Sequence, residues 1–134
     1  MINPFKPGDK KIFERLVVEA DTAIFDSGTV HPVFATFALG RDAEWACRLF
    51  VLEIKESHEE GIGTFLNVVH HSPAHIGSIV RIESILDRVE KNEVICSFEA
   101  RVGKRLVASG KTGQKILNRE KLNRLFEEYK SEQK

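Results

Sequence analysis

Residues 34–50 read FATFALGRDAEWACRLF. From about Thr36 to Leu52 the apolar residues, among them Phe37, Leu39, Ala43, Trp45, Cys47, Phe50 and Val51, occupy nearly the whole circumference of a helix. Such a helix is expected to be buried on most sides. At ~1.5 Å per residue it spans about 25 Å, which makes it the central element of a small domain. Within it Glu44 sits between Ala43 and Trp45. A buried carboxylate is costly unless it is paired or used. The spacing leaves two readings open: an i,i+4 ion pair with Arg48, with Arg41 three residues behind, or a carboxylate facing a pocket as general base or nucleophile. Thr36 is open in the same way, as a helix cap or as a polar group beside that pocket.

The rest of the chain is arranged around this helix. Residues 11–19 predict a strand, and residues 20–35, with Gly28, Pro32 and no periodicity, predict a covering loop. GTFLNVVHH (63–71) and SIVRIESILDRV (78–89) predict further strands. EVICSFEARV (93–102) is the clearest strand: Val94, Cys96, Phe98, Ala100 and Val102 alternate with polar residues. Gly103-Lys104 predicts a type II′ hairpin turn, and residues 105–117 return as a strand whose Ala108 and Gly110 leave room for a helix to approach. Asn118 predicts the N-cap of a last helix with the stripe Leu122, Leu125, Phe126 and Tyr129. One early helix followed by antiparallel strands gives an α+β class. The simplest packing is a sheet wrapped around the helix, the hot-dog arrangement, with a cystatin-like sheet-on-helix fold as the other candidate. Exposed sheet edges predict capping, and a homodimer supplies it.

The chain has 134 residues, the size of a single domain over 1–134. Lys plus Arg and Asp plus Glu each total 20, so the formal charge is zero and nothing points to nucleic acid or an anionic membrane as partner. Cys47 and Cys96 are far apart in apolar contexts and read as small buried hydrophobes of a reducing compartment. The N-terminus lacks the apolar core of a signal peptide, and no apolar run reaches the ~18 residues of a membrane span, so a cytoplasmic location is expected.

His70 and His71 are adjacent on a strand and point to opposite faces, His70 with Leu66 and Val68. His70 is thus either a structural residue or a catalytic group. His71 and His75 stand at i,i+4, but Pro73 between them and Gly77 after them argue against the helix a metal pair needs, so no metal is expected. GIG at 61–63 is too short for a phosphate loop and reads as backbone that something approaches closely.

VFATFALGRDAEWACR followed by GIGTFLNVVHHSPAHIG resembles the fluoroacetyl-CoA thioesterase family of hot-dog thioesterases. Thr36, Glu44 eight residues later, His70 twenty-six further on and Gly63 seven before that His match the family pattern without a gap. The resemblance runs from about residue 10 to the last helix. It implies hydrolysis of a short-chain acyl-CoA to free acid and CoA, with no cofactor beyond the CoA of the substrate. It implies Thr36, Glu44 and His70 as the catalytic residues, and Gly63, Phe34 and Val30 as substrate-binding residues. The fluoroacetate-specific enzyme carries a gating phenylalanine six residues before its Thr; Val30 stands there, which implies a less strict acyl pocket and a natural substrate other than fluoroacetyl-CoA. Two other functions remain for a hot-dog domain of this kind: a non-catalytic acyl-CoA-binding module, and an enoyl-CoA hydratase or dehydratase.

Overall fold

In the computed structural model, residues 1–26 and 28–132 are described, without the side chains of Thr29 and Val30. The strands are β1 (Lys10–Leu16), β2 (Thr22–Phe25), β3 (Gly28–Phe34), β4 (Glu59–His70), β5 (Ile79–Glu90), β6 (Glu93–Val102) and β7 (Arg105–Asn118); the helices are α1 (Thr36–Ile54) and α2 (Arg119–Ser131). Five strands form one antiparallel sheet in the order β1-β5-β6-β7-β4, and α1 lies across it. The class is α+β, as expected.

Apolar spacing built this core. Leu39, Ala43, Ala46, Cys47 and Phe50 of α1 meet Ile82 and Leu86 of β5 and Cys96 and Phe98 of β6, all at or near complete burial. The inward face of β6 is the one the alternation predicts, although Val102 is only half-buried. Gly103 has φ +58° and Lys104 has no positive φ, as a type II′ turn requires. The Asn118 side chain accepts a hydrogen bond from the Lys121 N–H at 3.2 Å and caps α2. Both cysteines are buried and unbridged, and the adjacent Cys47 thiol together with burial pushes the Cys96 thiol pKa up.

Three expectations are corrected, the second in part. Residues 20–35 are not a loop: after a single 3₁₀ turn (Glu19–Asp21), β2 and β3 pair as a separate two-stranded sheet. Its register shifts twice between Thr22 and Ile24, and Pro32 sits inside β3, so no period-two pattern survives in the sequence. Next, α1 is buried on most sides, as expected, but not along one stripe: Phe37 and Trp45, read as part of its apolar circumference, remain 60% and 42% exposed. Finally, the neighbour that comes close at Gly110 is a strand, not a helix: a Cβ there would overlap the Asn67 carbonyl of β4.

Arginines fix how α1 meets β1 and the β2 turn. Arg15 of β1 grips buried Asp42 of α1 through Nε and Nη2 at 3.0 and 2.9 Å. Arg41 joins Asp42 to buried Asp21, each at 3.1 Å. Asp42→Ala removes the acceptor of both guanidinium groups, which are themselves partly exposed. The expected loss in unfolding free energy is about 1–3 kcal/mol, read by urea denaturation; unchanged stability would contradict this role.

Candidate active site

One line of α1 residues faces β4. Thr36, Gly40, Glu44 and Arg48 recur every fourth position, so they share one helix face. Each meets β4 progressively nearer its start. Thr36 Oγ1 shares a hydrogen bond with His70 Nδ1 at 3.1 Å. A Cβ at Gly40 would come within 2.9 Å of Leu66 Cδ2. A Cβ at Gly63 would overlap Glu44 Oε1, so the carboxylate occupies the space that any other residue at 63 would fill. Arg48 Nη1 donates to the Gly61 carbonyl at 3.0 Å, and its Nη2 to Glu60 at 3.1 Å.

This settles the partners left open by the sequence. Arg48 is bonded to Glu60, Gly61 and Gln114, not to Glu44. Arg41 is bonded to Asp42 and Asp21. Among the described residues, the Glu44 carboxylate therefore has no ion pair and no hydrogen-bond donor, although the residue is half-buried. Thr36 is not the cap of α1. Ala35 holds that position, and the Thr36 hydroxyl points instead to His70.

Thr36 and His70 open onto a cavity of about 300 Å³. Ala23, Val33, Phe34 and Ala35 give it an apolar wall, and His31, His71, Ser72 and Pro73 form the remainder. Phe34 is buried in that wall, while the Val30 side chain lies outside the described residues. His31 was not legible as a site residue, because the β2–β3 stretch carries no pattern that would orient it. Burial pushes the His70 pKa below the ordinary histidine value; the charge of His71 adds to the effect and the Ser72 backbone opposes it. His70 is therefore a neutral imidazole near pH 7, able to accept a proton.

Within one chain the four predicted residues Thr36, Glu44, Gly63 and His70 form two pairs. Thr36 and His70 are together, and Glu44 and Gly63 are together. Eight residues of helix separate Thr36 from Glu44, about 12 Å along the axis, further than a glutamate side chain reaches. Glu44 and Gly63 do not line the cavity at Thr36.

His71 Nε2 is hydrogen-bonded to Ser109 Oγ at 2.8 Å, which turns it toward β7. The group of potential metal ligands among the described residues is Glu56, His58 and Glu59, away from this site, and the two carboxylates there hold the Met1 ammonium at 2.7 Å. No helix is long and apolar enough to cross a membrane among the described residues.

The sequence model of a family described as fluoroacetyl-CoA-specific thioesterase matches residues 17–120. A Thermus thermophilus hypothetical protein, a thioesterase superfamily member, superposes with a TM-score of 0.93 at 33% identity, over 98% of this chain and 97% of that one. A hot-dog-like protein from Thermanaerovibrio acidaminovorans gives a TM-score of 0.86 at 20% identity over 93% of each chain. A phenylalanine-to-alanine variant of the fluoroacetyl-CoA-specific thioesterase, solved with fluoroacetate and CoA, gives 0.81 at 23% identity over 88% of this chain and 99% of that one. No curated protein matches the sequence. The sheet-and-helix arrangement is thus the hot-dog fold.

Histidine NMR titration is expected to place the His70 midpoint below the ordinary value of about 6.5. A midpoint above that value would contradict the burial described for its ring.

Proposed function

Because the chain belongs to the fluoroacetyl-CoA-specific thioesterase family, we propose that it hydrolyses an acyl-CoA thioester with a short acyl chain to a carboxylic acid and CoA. The observation that carries this reading is the Glu44 carboxylate. It is half-buried, free of any cation among the described residues, and seated over a residue with no side chain. A module that only bound acyl groups would have no use for such a group. A cavity of about 300 Å³ with an apolar wall of Ala23, Val33, Phe34 and Ala35 beside Thr36 and His70 supports a short acyl chain. Val30, in place of a phenylalanine, supports a substrate other than fluoroacetyl-CoA.

The residues divide the reaction as follows. Glu44 delivers the nucleophile, either its own oxygen or a water that it deprotonates; both routes need the carboxylate in the same place. The Gly63 N–H donates to the oxyanion that forms on the thioester carbonyl, a contact worth on the order of 10²–10³ in rate. In the water route Glu44 takes the proton of the attacking water, and neutral His70, oriented by Thr36, relays a proton to the departing thiolate. In the direct route the thiolate leaves from the Glu44 adduct. His70 then takes a proton from the water that splits the resulting anhydride, and passes a proton to the thiolate. Such assistance is worth about 10²–10⁴. The CoA thiolate is a good leaving group, so the residues named suffice for the proton and nucleophile steps.

The two pairs of residues meet if the working unit is a homodimer. β4 is an edge strand, and Gly63 to Asn67 and Val69 are exposed, with Phe65, Leu66 and Val69 presenting apolar surface. An unpaired edge of this kind is a template for another strand. A two-fold, antiparallel pairing centred between Leu66 and Asn67 sets Gly63 opposite His70 of the partner subunit. Each site then takes Glu44 and Gly63 from one chain and Thr36 and His70 from the other.

Purified protein is expected to release thiol from short acyl-CoAs, and Glu44→Ala to lower that release by at least about 10³-fold with the fold intact. Turnover by Glu44→Ala at the wild-type rate would remove Glu44 from the mechanism.

A further inference from the structure

Arg105 opens β7, next to the cavity that holds Thr36 and His70. Its Nη1 donates both of its protons, to Ser72 Oγ and to the Pro73 carbonyl, each at 2.6 Å. Ser72 and Pro73 belong to the cavity wall and follow His70 by two and three residues. The loop is itself pinned: the Ser72 hydroxyl donates to the Leu106 carbonyl at 2.6 Å, and the His71 N–H donates to the Val107 carbonyl at 2.7 Å. The guanidinium is thus held in one orientation at the cavity rim.

It is also unneutralised. Arg101, across the same hairpin, is bound to Glu99 at 2.5 Å, whereas Arg105 has no carboxylate partner among the described residues. Two of its five N–H donors are used, which leaves Nε and Nη2 without a partner among the described residues, on a residue that is exposed. A fixed, planar fork of donors without a counter-ion matches the oxygens of a phosphate, which it can bind in bidentate fashion at little further entropic cost.

We infer that Arg105 anchors the diphosphate of the CoA moiety, the first charged group met along that molecule from its sulfur, with the acyl end directed past Ser72 toward His70. This rests on the acyl-CoA reading of the site, but only on its CoA half. A surface cation of this kind raises affinity without entering the chemistry, since it contacts ground state and transition state alike.

The test is isothermal titration of wild type, Arg105→Ala, Arg105→Lys and, as a control for lost charge, Arg124→Ala on α2, each with CoA and with phosphate-free pantetheine. Wild type is expected to bind CoA more tightly than pantetheine. Arg105→Ala is expected to weaken CoA binding by roughly 10- to 100-fold while leaving pantetheine unchanged. Arg105→Lys should recover part of the loss, and Arg124→Ala should match wild type. An Arg105→Ala protein that binds CoA as wild type does would overturn the assignment. So would equal losses for CoA and pantetheine, which would mark Arg105 as a brace of the loop alone. Binding is read without turnover, so the two readings fail separately. Arg105-dependent CoA binding without thiol release from acyl-CoAs overturns the hydrolase and keeps the anchor; thiol release with Arg105-independent binding does the reverse.

Discussion

The close approach of α1 to β4 governs the rest of the molecule. Helix and strand can run this near to each other because residues without side chains stand where they meet: Gly40 on the helix beneath Leu66, and Gly61 and Gly63 on the strand beside Val51, Arg48 and Glu44. A methyl group at Gly63 would have to displace the carboxylate, and one at Gly61 would press on Val51. Close packing of this kind transmits small volume changes, because protein interiors have few voids to absorb them. The same contact sets the direction of Glu44 and, at the other end of the strand, brings His70 to Thr36.

What makes Glu44 available is the distribution of charge around it. Its two nearest arginines in sequence are both taken, Arg41 by Asp21 and Asp42, and Arg48 by Glu60 and the Gly61 carbonyl. Asp42 lies on α1 itself, Asp21 just before β2 and Glu60 on β4. The fold thus satisfies its structural cations with other acids. It also keeps His70 neutral by burial while leaving its ring bonded to a hydroxyl rather than to a carboxylate. A free carboxylate and a neutral imidazole are the two states that acid–base chemistry at neutral pH calls for.

Much of this was readable in the sequence, for identifiable reasons. The span of α1 and the inward face of β6 follow from apolar periodicity, and the α2 cap from one asparagine, because these are local signals. The β2–β3 hairpin was not readable: Pro32 and two register shifts erase the alternation. The exposure of Phe37 and Trp45 was missed because a sequence shows how apolar a helix is, not how many sides a five-stranded sheet can cover. The Glu44–Arg48 pair was plausible locally and lost to a contact with Glu60, which only the tertiary fold supplies. The glycines at 61–63 were rightly read as points of close approach, but what approaches Gly63 is the candidate catalytic carboxylate itself. The separation of Thr36 from Glu44, eight residues along the helix, was not drawn from the sequence, although helix geometry alone gives it. On the proposed reading, their joint use depends on the free edge of β4.

The central claim is that a working site joins Glu44 and Gly63 of one chain to Thr36 and His70 of another. Mixing Glu44→Ala with His70→Ala protein, after denaturing and refolding the two together, tests it most directly. Each variant alone should be inactive. Half of the refolded dimers would be mixed, each with one of its two sites intact, so the account predicts about one quarter of wild-type thiol release. A mixture as inactive as its components, with mixed dimers shown to form, would contradict it.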